Sequence, residues 1–192
     1  MPLFTLTLLA VGVGVGGWRL VRPGSGGSMA LPSLRLLPLP LLGLLLQFLA
    51  LRWAGGPERL ALIVASQSLL LAFCLANWRY SALRLLSVGF VLNLLPMLLN
   101  GGYMPITPEA MRAIVGPSKA DFVISGLARS GTKDLVLPMS ESNLGFLGDV
   151  FVLPYPFMFA TAFSPGDVLI LLGFGAAVHQ FTSQPGGRNG AH

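Results

Sequence analysis

The sequence predicts an all-α, polytopic membrane protein with about five transmembrane helices. Of its 192 residues, 54% are hydrophobic and only 10% are charged, which is unlike a soluble globular domain. The hydrophobic residues form five long runs, most of them separated by short segments that carry arginine. A helix of roughly 20 apolar residues crosses a hydrocarbon core of ~30 Å and satisfies its own backbone hydrogen bonds there. Leu, Ala and Gly dominate these runs, which favours helices over transmembrane strands.

The runs are predicted to form one membrane domain, residues 1–182, followed by a disordered tail, residues 183–192. In the first run, several glycines would let another helix approach closely. In the second run, prolines at positions 32, 38 and 40 are expected to kink or delay the first turns. The predicted spans comprise residues 3–18, 34–53, 60–78, 83–99 and 165–181.

Two amide side chains lie near the middle of the third and fourth spans. Gln67 is flanked by serines, and Asn93 comes three residues before Pro96. Because polar groups at membrane depth need partners, we expect Gln67 and Asn93 to face the interior of the bundle and to join helices there. No ionisable side chain lies deep in the first four spans. This absence argues against an ion-coupled transporter.

The distribution of arginines predicts the orientation of the chain. An N-terminus outside and a C-terminus in the cytoplasm place more arginines on the cytoplasmic side than in the short outer loops. The cytoplasmic set is Arg19, Arg22, Arg35, Arg79, Arg84 and Arg188, and the outer set is Arg52 and Arg59. The first run has no basic region before it, which argues against a cleaved signal peptide.

Residues 100–164, which we call the outer segment, precede the last span and hold five of the seven acidic residues. The sequence NGGYMP at 100–105 predicts a tight turn, because glycine adopts positive φ and Met104 is extended before proline. Thr107 is expected to cap a short helix that begins at Pro108 and ends before Gly116. The outer segment is therefore expected to be partly structured.

The end of the outer segment is apolar but too short to span a bilayer. Residues 150–163 contain two prolines, so they are predicted to form either an interfacial or a re-entrant stretch. Ser164 and Asp167 are then expected to cap the last span, with Asp167 in the place that Glu takes in a capping box.

Three motifs give the chain a resemblance to a known family. Asn100–Ile106 reads NGGYMPI, Phe146–Asp149 reads FLGD, and Ser164–Asp167 reads SPGD. With these motifs in this order, the chain resembles a bacterial family of small multi-pass membrane proteins known only as a domain of unknown function. It departs from the family's SxGD pattern at Pro165, where an aliphatic residue is usual. The resemblance implies a bacterial plasma membrane and nothing about activity, so it supplies no catalytic residue.

The leading functional hypothesis is a binding or structural module. The outer segment would fold over the helices and offer one surface to a lipid, a small molecule or a partner membrane subunit, in addition to the contacts with the bilayer. The turn residues and two carboxylates are the candidate binding residues: Asn100, Gly101, Gly102, Tyr103, Met104, Asp149 and Asp167.

Two alternatives remain open. Asp149 and Asp167 could act as acid and base in a membrane-surface enzyme, because both are predicted near the outer boundary. Gln67 and Asn93 could instead line an uncoupled channel or carrier. The sequence carries no recognisable catalytic, nucleotide-binding or metal-binding motif, so no metal or cofactor is expected. The dispersed arginines argue against binding of nucleic acid.

Overall fold

The computed structural model describes residues 33–53, 55–128, 132–158 and 160–182. The first predicted span and the predicted disordered tail lie outside these residues. Helices account for most of the described chain. They are α1 (Pro38–Arg52), α2 (Gly56–Ala76), α3 (Ser81–Leu99), α4 (Pro108–Val115) and α5 (Pro165–Thr182), with short 3-10 helices at Pro117–Phe122 and Gly145–Leu147.

Two of these helices, α2 and α3, are long and apolar enough to cross a membrane. Helix α1 is shorter than the run that predicted it, because it begins at Pro38 and not at the start of the apolar stretch. A proline fits the first turn of a helix but not its interior, so the cluster of prolines delays the start. Helix α5 is also apolar and is shorter than α2 and α3.

The long helices pack through close backbone approaches. Helix α2 contacts α1 and α3, and α3 contacts α5. Between α1 and α2, the Ser66 hydroxyl donates a 2.7 Å hydrogen bond to the carbonyl oxygen of Gly43. Between α3 and α5, a Cβ atom at Gly89 would lie 2.9 Å from the carbonyl oxygen of Gly166. A larger residue at Gly89 would therefore push α3 and α5 apart.

Polar side chains also make contacts at the end of the bundle where α2 turns into α3. The Asn77 side chain accepts a hydrogen bond from the Arg35 amide (2.8 Å) and donates one to the Arg35 carbonyl (2.9 Å). Arg79 donates to the backbone and hydroxyl oxygens of Ser33. The segment before α1 is thereby held against the turn between α2 and α3.

The outer segment contains four short strands, so the all-α expectation is incomplete. Strands β1 (Met104–Ile106) and β2 (Asp134–Val136) are parallel, with Met104 opposite Asp134. Strands β3 (Phe151–Leu153) and β4 (Thr161–Phe163) are antiparallel. Each strand has three residues, which is too few for a period of two to stand out in the sequence. Pairing between distant segments creates these strands.

The predicted turn and caps of the outer segment are present. Gly101 and Gly102 have φ values of +66° and +86°, and the Thr107 hydroxyl accepts a hydrogen bond from the Ala110 amide at the start of α4. Helix α4 ends before Gly116, whose φ is +77°. The local sequence was sufficient here because each signal acts within a few residues.

The outer segment has a hydrophobic core of its own. Ile106, Met111, Val136 and Ala162 are buried together and join β1, α4, β2 and β4. The apolar stretch at 150–163 is a hairpin formed by β3 and β4, and the Tyr155 amide in its loop donates a 2.8 Å hydrogen bond to the Ala113 carbonyl of α4. This small core supports the side chains described next.

Candidate functional site

A lysine ammonium lies between two buried carboxylates where the outer segment meets α5. The Nζ atom of Lys133 is 2.9 Å from Oδ1 of Asp149 and 2.9 Å from Oδ2 of Asp167. Asp149 is 2% exposed, and Asp167 is also buried. We call these three residues the charge triad. It joins the segment before β2, the segment before β3 and the first turn of α5.

Lys133 owes its position to the pairing of β1 with β2. The Met104 amide donates a 2.6 Å hydrogen bond to the Lys133 carbonyl oxygen, directly before the paired residue Asp134. Strand β1 follows α3 after the turn at 100–103, so that turn sets where β2 and Lys133 lie. On the other side, the Arg59 guanidinium donates a 2.6 Å hydrogen bond to the Thr132 carbonyl oxygen.

Asp149 is placed by a backbone contact with β1. Its amide donates a 2.9 Å hydrogen bond to the carbonyl oxygen of Pro105. Gly148 passes so close to Pro105 that a Cβ atom on it would meet that same oxygen. The glycine of the FLGD sequence therefore allows the close approach that turns Asp149 toward Lys133.

Asp167 is placed by the cap of α5. The Ser164 hydroxyl accepts a 3.0 Å hydrogen bond from the Asp167 amide, and Oδ2 of Asp167 accepts a 3.1 Å hydrogen bond from the Ser164 amide. This reciprocal pair is the capping box that the sequence predicts. Asn93 of α3 completes the arrangement, because its amide donates to Oδ1 of Asp167 (2.8 Å) and its oxygen accepts from the Ser164 hydroxyl (2.7 Å).

The charge triad borders a cavity of about 310 Å³. Lys133 and Asp149 line it, whereas Asp167 lies behind Lys133 and does not. One part of the wall is apolar and the rest is polar. The lining comprises Ile106, Ile114, Val115, Lys119, Thr132, Lys133, Asp134, Asp149, Ala160, Thr161 and Ala162. A volume of this size and a mixed lining are typical of small-molecule sites in proteins.

The charges around the cavity perturb one another. Burial raises the pKa of Asp149 to about 7, although the Lys133 ammonium acts to lower it. Burial acts to lower the pKa of Lys133, but attraction to Asp149, Asp167 and Asp134 outweighs it and raises the pKa of Lys133. Lys133 therefore stays protonated, and Asp149 can exchange a proton near neutral pH.

The predicted turn residues support this site but do not line the cavity. The Asn100 side chain donates to the carbonyl oxygens of Pro96 (2.7 Å) and Asn143 (2.8 Å), and it accepts from the Asn143 amide. Gly102 lies against α2, because a Cβ atom there would be 3.0 Å from the Cα atom of Leu60. Gly101 has open space beside it.

The remaining turn residues, Tyr103 and Met104, both contact the helical bundle. The Tyr103 ring is 4.1 Å from the Arg59 guanidinium carbon. Met104 is completely buried and belongs to a cluster with α1, α2 and α3. Through these contacts, the turn at 100–104 connects the outer segment to the bundle.

The two amides predicted inside the spans have different surroundings. Asn93 is buried and joins the cap of α5. Gln67 is also buried, and its Oε1 atom has no hydrogen-bond partner among the described residues. The structure joins Asp149 and Asp167 through Lys133 and joins Asn93 directly to Asp167, and Gln67 is not part of this group.

Sequence reasoning missed the residues that connect the two carboxylates, above all Lys133. One signal was available, because the chain has only two lysines, Lys119 and Lys133. Both of them line the cavity. Asp134, Thr161 and Ser164 were also not singled out as site residues. Among the described residues, no group of three or more His, Cys, Asp or Glu side chains could hold a metal ion.

Comparison with known proteins places the chain in a family. Residues 30–179 match DUF5317, a family of unknown function. No curated protein and no solved structure gives a significant match. The matched region includes α1 to α4, most of α5, the whole outer segment and the charge triad. The chain belongs to the DUF5317 family.

Proposed function

We propose that this chain is a membrane-embedded binding module in which the outer segment holds a small ligand above a helical bundle. The cavity beside the charge triad is the single observation that carries the proposal. It combines about 310 Å³ of space with both lysines of the chain and two aspartates, Asp134 and Asp149, on its wall. Such a combination of an apolar wall and a few converging polar groups is typical of ligand sites.

The exposed faces of the helices support insertion into a bilayer. Leu41 is 72% exposed on α1, Leu99 is 55% exposed on α3, and Leu172 is 56% exposed on α5. Because these helices also bury apolar residues against one another, they are apolar on both sides, as membrane-spanning helices are. We propose a bacterial plasma membrane with the N-terminus outside and the C-terminus in the cytoplasm, which the arginine distribution supports.

A membrane-surface enzyme is the second candidate. The raised pKa of Asp149, together with its place in the cavity, suits a general acid or base. Asp167 suits such a role less well, because Asn93, Ser164 and Lys133 already occupy its oxygens. Asp149 would therefore act without the second carboxylate that the sequence suggested.

The channel hypothesis has weaker support. Ser66 and Asn93 both use their polar atoms in contacts between helices. Gln67 alone keeps a buried side-chain oxygen without a hydrogen-bond partner among the described residues. One such atom does not form a polar path.

Native mass spectrometry tests the binding proposal. The full chain, extracted gently from its own membrane, should retain a non-protein mass in a fixed ratio. Ala160→Phe places a ring in the cavity and should abolish that retention. Ala176→Phe is the matched control, because Ala176 is exposed on α5 and does not line the cavity. Retention that Ala160→Phe leaves unchanged, or no retained mass at all, would contradict a ligand in this cavity.

A further inference from the structure

A second, apolar cavity lies directly beside the first. This groove has a volume of about 200 Å³ and is lined by Met111, Val115, Lys119, Phe122, Val123, Ile124, Leu127 and Val136. Val115 and Lys119 also line the polar cavity. The two spaces therefore share a wall, and Lys119 lies at their junction.

The groove exposes an unusual amount of apolar surface. Phe122 is 78% exposed, Ile124 is 61% exposed and Leu127 is 55% exposed. These residues follow one another along the 3-10 helix at Pro117–Phe122 and the loop after it. A contiguous exposed apolar patch of this kind is typical of a surface that contacts a protein, a ligand or lipid.

Two charged side chains beside these spaces make no direct polar contact with another described side chain. Among the described residues, neither the Asp134 carboxylate nor the Lys119 ammonium makes a side-chain hydrogen bond or an ion pair. Lys133, in contrast, already donates to Asp149 and Asp167. Lys119 is therefore the available cation and Asp134 the available anion on the cavity wall.

We propose that the cavity and the groove together bind one phospholipid that has a primary-amine, zwitterionic headgroup. The headgroup ammonium lies beside Asp134 and Asp149, the phosphate pairs with Lys119, and an acyl chain covers Phe122, Ile124 and Leu127. This inference rests on the proposed function, because it names the ligand of the same cavity.

The order of charged and apolar groups along the surface selects this class of lipid. Carboxylates, a lysine and an apolar groove follow in the order in which such a lipid presents its ammonium, its phosphate and its chain. Phosphatidylglycerol would place no cation beside Asp134. Phosphatidylcholine has a cation but no N–H group to donate to a carboxylate, and charge-assisted hydrogen bonds are the stronger contacts.

The test is lipid retention by the purified full chain in native mass spectrometry. The protein is equilibrated in turn with phosphatidylethanolamine, phosphatidylcholine and phosphatidylglycerol at equal concentrations. Phosphatidylethanolamine should bind roughly tenfold more tightly than the other two, which corresponds to about one charge-assisted hydrogen bond. Lys119→Gln and Asp134→Asn should each reduce its affinity by roughly the same factor. Lys119 is exposed, so its variant should fold.

A soluble headgroup separates the two parts of the site. Ile124→Asp should weaken binding of phosphatidylethanolamine but leave binding of glycerophosphoethanolamine unchanged, because that probe has no acyl chain. Phe146→Asp is the matched control, since Phe146 is 63% exposed and lines neither space. It should change neither affinity.

The outcomes distinguish this inference from the proposed function. Equal retention of the three lipids would overturn the inference, since it would indicate only a non-specific lipid shell. Binding of glycerophosphoethanolamine without the lipid, or of a different small molecule lost in Ala160→Phe, would also overturn it and would leave the proposed function intact. No bound mass of any kind would overturn both.

Discussion

Replacing Lys133 with methionine should destabilise the protein by about 3 kcal/mol. The substitution keeps much of the volume of the side-chain stem and removes the ammonium. Asp149 and Asp167, both buried, would then lose the cation that they share. The perturbation therefore tests whether the charge triad holds the outer segment to α5.

The magnitude follows from the distances and the burial. At 2.9 Å and an effective dielectric constant of 20, each pair attracts by about 6 kcal/mol before desolvation is counted. Desolvation of the ions offsets much of this, and removal of one partner from a buried pair typically costs about 3–5 kcal/mol. The Lys133 side chain is 24% exposed, so water screens part of the interaction. We therefore expect the lower end of that range.

The assay is the free energy of unfolding in mixed micelles, measured for four proteins. Besides wild type and Lys133→Met, the double variant Lys133→Met/Asp149→Asn removes one of the two carboxylates left unpaired. It should be at least about 1 kcal/mol more stable than Lys133→Met alone. Arg112→Met is the control, because its ion pair with Glu109 is exposed and 3.9 Å long. It should cost about 0–1 kcal/mol.

Two results would refute this reasoning. A loss for Lys133→Met no larger than that for Arg112→Met would mean that the charge triad does not stabilise the fold. A double variant no more stable than Lys133→Met would mean that the loss comes from packing of the lysine stem and not from an uncompensated charge.

Three further predictions concern the surroundings of the charge triad. Burial raises the pKa of Asp149 from its ordinary value of 3.8 to about 7, so the folded chain binds more protons than the unfolded chain in this window. The contribution of Asp149 to the free energy of unfolding should therefore fall as pH rises from about 4 to about 7, and Asp149→Asn should flatten pH titrations of stability. Gly102→Ala should cost about 2–3 kcal/mol in unfolding experiments, since φ is +86° and the new Cβ meets the backbone of α2, whereas Gly101→Ala, with open space, should cost about 1 kcal/mol. Asn93→Ala should cost about 1–3 kcal/mol in the same assay, because it leaves Oδ1 of Asp167 without the Asn93 donor and the buried Ser164 hydroxyl without its acceptor.

The sequence predicted the parts of the fold that depend on neighbouring residues. The turn at 100–105, the Thr107 cap and the Ser164–Asp167 capping box each involve contacts within about four residues. Long apolar runs likewise predicted the positions of α2, α3 and α5, because an uninterrupted apolar run of that length is itself the signal of such a helix. These elements needed no knowledge of the tertiary structure.

The charge triad could not be predicted in the same way. Lys133 is 16 residues from Asp149 and 34 residues from Asp167 along the chain. Pairing of β1 with β2 brings these residues together, and strands of three residues carry no recognisable pattern. The sequence singled out the two aspartates together, and the structure joins them through Lys133. That cation between them could not be predicted without the fold.

The turn at 100–104 shows the converse difficulty. Its unusual sequence suggested a binding surface. In the structure, Gly102 contacts α2 and Asn100 contacts the segment at Asn143, so the turn connects the outer segment to the bundle. Backbone geometry and ligand contacts both select such residues, and sequence alone does not separate the two causes.

The most direct test of the central claim is protection of the cavity from alkylation. The chain contains one cysteine, Cys74, which is 1% exposed, so an introduced cysteine can be followed with little background. Ala160→Cys lines the cavity, and Phe146→Cys is an exposed reference outside it. In native membranes, maleimide should label Ala160→Cys slowly relative to Phe146→Cys, and removal of bound lipids and small molecules should accelerate only the former. A ratio of the two rates that stays the same after this removal would contradict a ligand in the cavity.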